Sequence, residues 1–380
     1  MASKCKHIYI SVINDLVTDQ RVHKVCETIC SNFPEYKITL IGRLKKDIKP
    51  VNQRIYNVHR MSLRFNKGFT FYAEYNLRLF LYLLFKPRGV YFSNDLDTLL
   101  PNFFMSRLKS TRLIYDSHEY FTEVPELIGR EKVRAIWLRI ESYILPKLKT
   151  MLTVNKTLAK IYSEKYDIPV HAVRNVPKIN GYGNHSEGIQ VRKKYGISSS
   201  DYLIIYQGAV NKDRGLEELI EAFTYLPEKY HLLIIGTGDV YQTLVEKTEG
   251  LKLKQVHFLG QIPFSELAAY TIEADLGVSL EKSTNLNYRY ALPNKVFDYL
   301  ASGVPILVSP LTELCAILDK HDVGKLLPSH EPKEIAVTIE TIFANQNQLA
   351  IWKENTKKAC EEYCWENEEK KLISILLPLL

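Results

Sequence analysis

The stretch Tyr288-Arg-Tyr-Ala-Leu-Pro-Asn-Lys-Val-Phe-Asp-Tyr-Leu-Ala-Ser-Gly-Val-Pro-Ile-Leu-Val-Ser309 reads as a short loop, a helix opened by proline, a glycine stop and a buried strand. Pro293 suits a first helical turn, where its missing N–H costs nothing. Gly303 suits the C-terminal stop before the run Val304 to Val308. The helix is therefore expected from about Pro293 to Ser302. Its N-terminus exposes unpaired N–H groups just after Pro293, Lys295 adds a full charge, and together they suit an anion such as a phosphate. Asp298, about one turn on, comes within reach of a sugar hydroxyl. An ordinary amphipathic helix is the plainer reading of the same residues.

Outward from this segment, strand-like and helix-like runs alternate. In the first half they are strands His7 to Ile13, Lys37 to Ile41, Gly89 to Ser93, Arg112 to Asp116, Thr150 to Val154 and Ala172 to Arg174, with helices Val22 to Ser31 and Phe69 to Phe85. The Pro-, Gly- and Asn-rich break Val176 to Ser186 has no periodicity and is expected to be the linker. The rhythm then resumes with strands Tyr202 to Tyr206, His231 to Ile235, Val256 to Leu259 and Leu276 to Leu280, and a helix Leu216 to Phe223. Such alternation predicts α/β architecture: two Rossmann-like, doubly wound parallel-sheet domains facing a central cleft. A length of 380 residues fits two domains.

Lys plus Arg at 50 against Asp plus Glu at 43 gives a net charge of +7, a mild excess that suits an anionic ligand or an anionic membrane surface. It is no nucleic-acid footprint, and no nucleic-acid partner is expected. The six cysteines include two pairs at i, i+4, Cys26/Cys30 and Cys360/Cys364, with no CxxC or Cys/His cluster, so buried apolar thiols in a reducing cytoplasm are expected. The chain runs into a strand without a secretory leader pattern, and its longest apolar stretch, Leu77 to Phe85, is shorter than a bilayer span. A cytoplasmic protein follows as the expectation, soluble or peripheral on the inner face of the cytoplasmic membrane. Arg64 to Arg88 mixes aromatic and basic residues; it reads either as a core helix with basic ends or as a surface lying against anionic lipid. The basic segment Arg130 to Lys149 around Trp137 is a second candidate for such a surface.

Several turns carry candidate chemistry. Tyr206-Gln-Gly-Ala-Val-Asn-Lys-Asp-Arg-Gly215 leaves a strand and enters a helix, placing Gly208, Lys212 and Arg214 where a phosphate could approach. Gly236-Thr-Gly238 follows the next strand, but a complete dinucleotide fingerprint is absent, which disfavours a nicotinamide enzyme. Asn94-Asp-Leu-Asp97 invites a metal reading; Asp97 capping a helix entered at Thr98 is favoured instead, so no metal is expected.

Taken together, Gly208 to Gly215, Gly236-Thr-Gly238, Phe258-Leu-Gly-Gln261 and Asp298-Tyr-Leu-Ala-Ser-Gly-Val-Pro305 resemble the family 4 retaining glycosyltransferases of GT-B fold, across nearly the whole chain. Asn14-Asp-Leu-Val-Thr-Asp-Gln-Arg-Val-His-Lys24 and Tyr115-Asp-Ser-His-Glu-Tyr120 are similar to a bacterial polysaccharide and glycolipid branch of it. The resemblance implies an acceptor-side domain over 1–178, a nucleotide-sugar domain over 179–362, and a final helix, 363–380, crossing back onto the first, with Trp365 packed at the return. It implies a metal-independent hexosyltransferase with a nucleotide-diphosphate sugar as co-substrate, no further cofactor, and a saccharide or lipid-linked acceptor in cell-surface polysaccharide or glycolipid assembly. His118, Arg214 and Lys295 are its catalytic candidates. Gly208, Gly236, Gly238, Gln261, Tyr290, Pro293, Asn294 and Asp298 are the donor-binding ones, and Asp19, Arg21 and Glu119 lie on the acceptor side. The family's diphosphate-gripping arginine and lysine fall here on Ala209 and Arg214, and its two glutamates on Tyr290 and Asp298. These departures leave open a catalytically weak accessory protein, beside a nucleotide-sugar epimerase of the same architecture.

Overall fold

The computed structural model describes residues 6–17, 19–45, 53–179 and 190–380. They form two units: residues 1–175 with 368–380, and residues 176–367. The sequence-based boundary at 178 falls three residues later, and the return begins at Glu368 rather than at Tyr363. The expected linker lies outside the described residues from 180 to 186.

The first unit runs β1 (Lys6–Ser11), α1 (Gln20–Asn32), β2 (Tyr36–Leu44), β3 (Asn57–Ser62), α2 (Gly68–Leu84) and β4 (Val90–Asn94). It continues through α3 (Leu96–Leu108), β5 (Leu113–Ser117), α4 (Glu131–Ile144), β6 (Met151–Thr153), α5 (Lys156–Tyr166) and β7 (Val170–Ala172). The sheet order is β3-β2-β1-β4-β5-β6-β7, with every pairing parallel. Strand order reverses between β1 and β4, and the crevice at that switch point, at the strands' carboxyl ends, is where such sheets receive ligands. Strand β4 is buried along its whole length, which is why its sequence Val-Tyr-Phe-Ser-Asn does not alternate. Strand β3, Asn-Val-His-Arg-Met-Ser, escapes sequence reading because it is the sheet edge and half solvated, with no apolar run.

The second unit runs α6 (Val191–Lys194), β8 (Tyr202–Gln207), α7 (Leu216–Ala222), β9 (Tyr230–Ile235), α8 (Tyr241–Gly250), β10 (Val256–Gly260) and α9 (Phe264–Thr271). After it come β11 (Leu276–Ser279), α10 (Leu286–Arg289), α11 (Asn294–Ala301), β12 (Ile306–Val308), α12 (Thr312–His321) and β13 (Gly324–Leu326). Helices α13 (Pro332–Ala344), α14 (Gln346–Glu362) and α15 (Trp365–Leu376) complete the chain. The order β10-β9-β8-β11-β12-β13 repeats the first sheet's topology, with its switch point between β8 and β11. Both units are thus Rossmann-like parallel-sheet domains.

Two details of the opening stretch differ from expectation. Pro293 (φ −63, ψ 127) precedes α11 as its cap instead of standing in its first turn, and Ser302 is the C-cap. The stop is a Schellman turn: Gly303 at φ 74 donates to the Leu300 carbonyl at 3.1 Å, and Val304 to that of Tyr299 at 2.9 Å. Helix α2 buries Phe71, Tyr75, Leu79 and Leu83 in the core, while Phe69, Leu77, Leu81 and Phe85 stay exposed. The 363–380 segment packs through Leu372 and Leu376, both fully buried. Trp365 is also buried, its N–H donating to the Pro177 carbonyl at 2.7 Å. Cys26 is buried as expected; Cys30 is half-buried.

Candidate active site

In the second unit three strand ends are laced side by side. The N–H of Gly208, after β8, donates to the Ile235 carbonyl at 2.9 Å, and that of Gly236, after β9, to the Gly260 carbonyl at 2.8 Å. Gly236 has φ +137, and a Cβ there would overlap the Gly208 carbonyl oxygen, so only glycine fits. A Cβ at Gly238 would likewise lie only 2.2 Å from the Val210 carbonyl oxygen. Tyr206 Oη donates to the Ala209 carbonyl at 2.6 Å and pins the turn. Gln261, just past Gly260, is exposed.

Beneath these turns lies a buried charge cluster that turns on Glu281, a residue sequence reading did not select. Its carboxylate is fully buried and accepts from Ser279 Oγ at 2.6 Å and Lys295 Nζ at 2.8 Å, while Arg214 Nη1 lies 3.3 Å away. Burial pushes the Glu281 carboxyl up, but Lys295 and Arg214 outweigh it and hold it at about 2. Lys295 also sits 3.9 Å above the Tyr206 ring, and Arg214 4.7 Å from that of Tyr288. Lys295 is thus no free cation at a helix end: it is buried and paired. Arg214 Nε is buried with no hydrogen-bond partner among the described residues, a donor left over for a ligand. A Cβ at Gly208 would lie 3.5 Å from Lys295 Cε, so this turn covers the cluster. Glu281 stands two residues past the end of strand β11 at the switch point, so the rule that selects His118 after its strand also points to Glu281.

Asp298 stands one turn into α11 and accepts from Gln207 Nε2 at 3.2 Å; Thr271 Oγ1 donates to Gln207 Oε1 at 2.8 Å and fixes that amide. Tyr290 is the C-cap of α10. Pro293 and Asn294 form the start of α11, Asn294 being exposed. His330, also unselected, donates or accepts at Ser309 Oγ, 3.0 Å away, and lies 3.1 Å from the Leu280 carbonyl.

In the first unit, His118 follows β5 and is held on several sides. Its N–H donates to Asp95 Oδ1 at 2.8 Å; ring Nδ1 lies 3.3 Å from Asp95 Oδ2, and Nε2 3.5 Å from Asp116 Oδ2 and 3.2 Å from Asn94 Oδ1. Burial alone would push the imidazole down; Asp95 and Asp116 outweigh it and raise it to about 9. Arg21, buried in α1, donates Nε and Nη2 to the two oxygens of Asp116 at 2.9 and 2.8 Å and Nη1 to the Val173 carbonyl at 2.6 Å. Burial works against ionisation of Asp116, yet Arg21 and His118 hold it well below the usual carboxylate range. Asp19 caps α1, accepting from the Val22 N–H at 3.0 Å and from Asn14 Nδ2 at 2.6 Å. Glu119 is half-buried, its carbonyl accepting from Ser117 Oγ at 2.8 Å.

The expected helix start at Thr98 is corrected: α3 begins at Leu96, with Asp95 (φ 56) flanking it and turned to His118 instead of capping. Asp97 lies in the first turn, buried, its Oδ1 without a hydrogen-bond partner among the described residues. Burial, then the neighbouring Asp95, push the Asp97 carboxyl well above its usual range. Among the described residues no three His, Cys, Asp or Glu side chains are grouped to hold a metal.

Residues 189–359, which carry the glycine turns and the Glu281 cluster, match the family described as Glycosyl transferases group 1. The match lies within the second unit and is similarity to that family. Relatives of the chain include the putative teichuronic acid biosynthesis glycosyltransferase TuaC of Bacillus subtilis, 26% identical over 171 residues, which span 45% of this chain and 39% of TuaC. An uncharacterized glycosyltransferase of Methanocaldococcus jannaschii, MJ1069, is 23% identical over 296 residues, 75% of this chain and 72% of its own. Among solved structures, sucrose-phosphate synthase from Thermosynechococcus elongatus superposes with a TM-score of 0.78 at 15% identity, over 98% of this chain and 99% of that one. Anabaena HepE, solved with UDP and glucose, gives 0.73 at 13% identity over 97% and 98% of the two chains. WaaG, a glycosyltransferase involved in lipopolysaccharide biosynthesis, gives 0.71 at 14% over 97% and 99%. These likenesses show the GT-B type of fold.

Proposed function

We propose that the protein is a retaining glycosyltransferase of family 4, from its bacterial branch, that moves a hexosyl group from a nucleotide-diphosphate sugar to a saccharide or lipid-linked acceptor. The observation that carries this reading is the Glu281–Lys295–Arg214 cluster under the glycine turns of the second unit. Two cations against one carboxylate leave a net charge of about +1, to which the N-terminus of α11 adds roughly half a charge. Glycosyl transfer develops negative charge on the departing phosphate oxygen while the sugar becomes oxocarbenium-like. Preorganised donors stabilise that charge without reorganising. Arg214 Nε and the Lys295 ammonium are the donors for it, and Glu281 fixes their positions. Asp298, steadied by Gln207, suits a ribose hydroxyl.

His118 carries its proton at neutral pH in this reading and does not act as base. Neutralisation of the diphosphate by these cations makes a metal unnecessary. Glycolipid or cell-surface polysaccharide assembly at the inner face of the cytoplasmic membrane suits the exposed Phe69, Leu77 and Phe85 of the α2 segment, interleaved with Lys67, Arg78 and Lys86.

The test is a thermal-shift panel of nucleotides and nucleotide-sugars, with and without magnesium, followed by turnover of whichever sugar nucleotide binds. Stabilisation by one diphosphate, unchanged without magnesium and lost in Lys295→Ala, is the expected result. Stabilisation without turnover, and with cellular function unchanged in His118→Ala, would favour the accessory reading that Ala209 and Tyr290 leave open.

A further inference from the structure

A large cavity of the first unit lies at the opposite end of the sheet's strands from His118. It encloses about 1260 Å³ and its walls carry six cations, Lys6, Arg88, Arg107, Arg112, Lys147 and Lys149, while no Asp or Glu side chain among the described residues lines it. Four of the six belong to the amino ends of consecutive sheet neighbours: Lys6 opens β1, and Arg88, Arg112 and Lys149 lead into β4, β5 and β6. Arg107 is in the last turn of α3, and Lys147 in the turn after α4. With about 3.3 Å of rise per residue, Arg112 and His118 are separated by roughly 20 Å along β5. The cavity is therefore a separate place from the candidate active site.

Helix C-termini gather at this end of a parallel sheet and could account for some positive charge. They do not account for this much. Four helices, α2, α3, α4 and α15, end here, each carrying roughly half a negative charge, about −2 together, and the terminal carboxylate of Leu380 in the wall adds about −1, which still leaves the six cations in surplus. The end of α2 is already satisfied by Lys109, a seventh cation outside the cavity, whose Nζ donates to the carbonyls of Leu83, Leu84 and Lys86 at 2.8, 3.0 and 2.6 Å. Among the other cavity cations, Arg112 Nη1 donates to the Leu379 carbonyl at 2.7 Å and to an oxygen of the terminal Leu380 at 3.4 Å, an anionic group in the wall, while Arg88 donates to the Ser110 carbonyl and Lys147 sits 2.9 Å from the Tyr143 ring centroid. Arg88, Arg107, Arg112, Lys147 and Lys149 form no ion pair with a carboxylate side chain among the described residues. Like charges held around one basin repel, and a bound polyanion relieves that repulsion.

We infer that this basin is a second binding site, for a phosphate-bearing anion, distinct from the one that holds the sugar nucleotide. Its guanidinium groups suit phosphate oxygens, and that of Arg107 lies 5.2 Å from the centroid of the Phe103 ring in the same wall. The same chemistry is offered by a soluble phosphoanion and by an anionic phospholipid head group.

The experiment titrates sodium tripolyphosphate into the full chain by calorimetry, for wild type, Lys295→Ala, and the double variants Arg112→Gln/Lys149→Gln and Arg107→Gln/Lys147→Gln. All four substituted cavity residues are exposed, so their removal spares the core; circular dichroism checks this. Binding that survives Lys295→Ala and weakens by about tenfold or more in both double variants is expected. Cosedimentation with phosphatidylglycerol-containing vesicles, against phosphatidylcholine alone, runs alongside. Loss of vesicle binding in the same double variants assigns the site to a lipid head group, and absence of vesicle binding assigns it to a soluble phosphoanion. No heat on titration, or equal affinity in wild type and both double variants, would overturn the inference.

Discussion

Glu281 and His118 set the charge of the two candidate sites in opposite ways. Glu281 is a buried anion that lowers a surplus of positive charge; Lys295 and Arg214 hold it ionised, so the stability it contributes is present above about pH 4.5 and is lost only as pH falls through about 2. His118 is a cation held by Asp95 and Asp116, and its contribution runs the other way. With the folded-state value near 9 and the unfolded one near 6.5, its stabilisation is complete below about pH 6.5 and disappears as pH rises through about 9. Urea denaturation from pH 6 to 10 should therefore show wild type losing on the order of 2–3 kcal/mol relative to His118→Gln. A difference that stays constant over that range would mean the imidazole is not held charged. Both residues follow strand ends, and the sequence exposes His118 and hides Glu281 for a physical reason. Histidine after a strand is uncommon enough to be noticed, whereas a lone glutamate reads as surface until its partners, 67 and 14 residues away, are seen around it.

Among the elements, the three laced turns after β8, β9 and β10 are the most constrained. Gly236 combines a left-handed backbone with contact against the Gly208 carbonyl, so Gly236→Ala must displace one turn from the other. The expected loss is about 2–4 kcal/mol of stability, with nucleotide binding weakened more than the global fold, as calorimetry beside thermal unfolding would report. Equal stability and binding would show that the turns are not locked together. Helix α11 was legible almost to the residue because its signals are local: proline at its entry and glycine at its stop act through their own φ angles. Strands β3 and β13 were not. One is a solvated edge and the other spans three residues, Gly324–Leu326, so each is defined by a neighbouring strand rather than by its own pattern.

At the scale of the molecule, the chain closes on itself. Glu368, fully buried, accepts from the Arg174 N–H and Nη1, both at 3.1 Å, and from Lys371 Nζ at 2.6 Å, so it ties the last helix to the end of the first unit's sheet. Removing one partner of a buried pair leaves an uncompensated charge. Glu368→Ala should cost roughly 2–4 kcal/mol in urea unfolding and leave the proposed nucleotide binding by the second unit unchanged. Loss of that binding would mean the tie reaches further than the first unit. The order of elements, the two-domain division, the glycine turns and the strand-end position of His118 were all determined by the sequence itself, because backbone preference and hydrophobic periodicity act over a few residues. Only the tertiary structure decided that Lys295 is paired rather than free, that Arg21 is spent on Asp116, and that six cations far apart in the chain share one basin. Those are facts of charge and burial, and a charge takes its meaning from the groups that folding brings within a few ångströms of it.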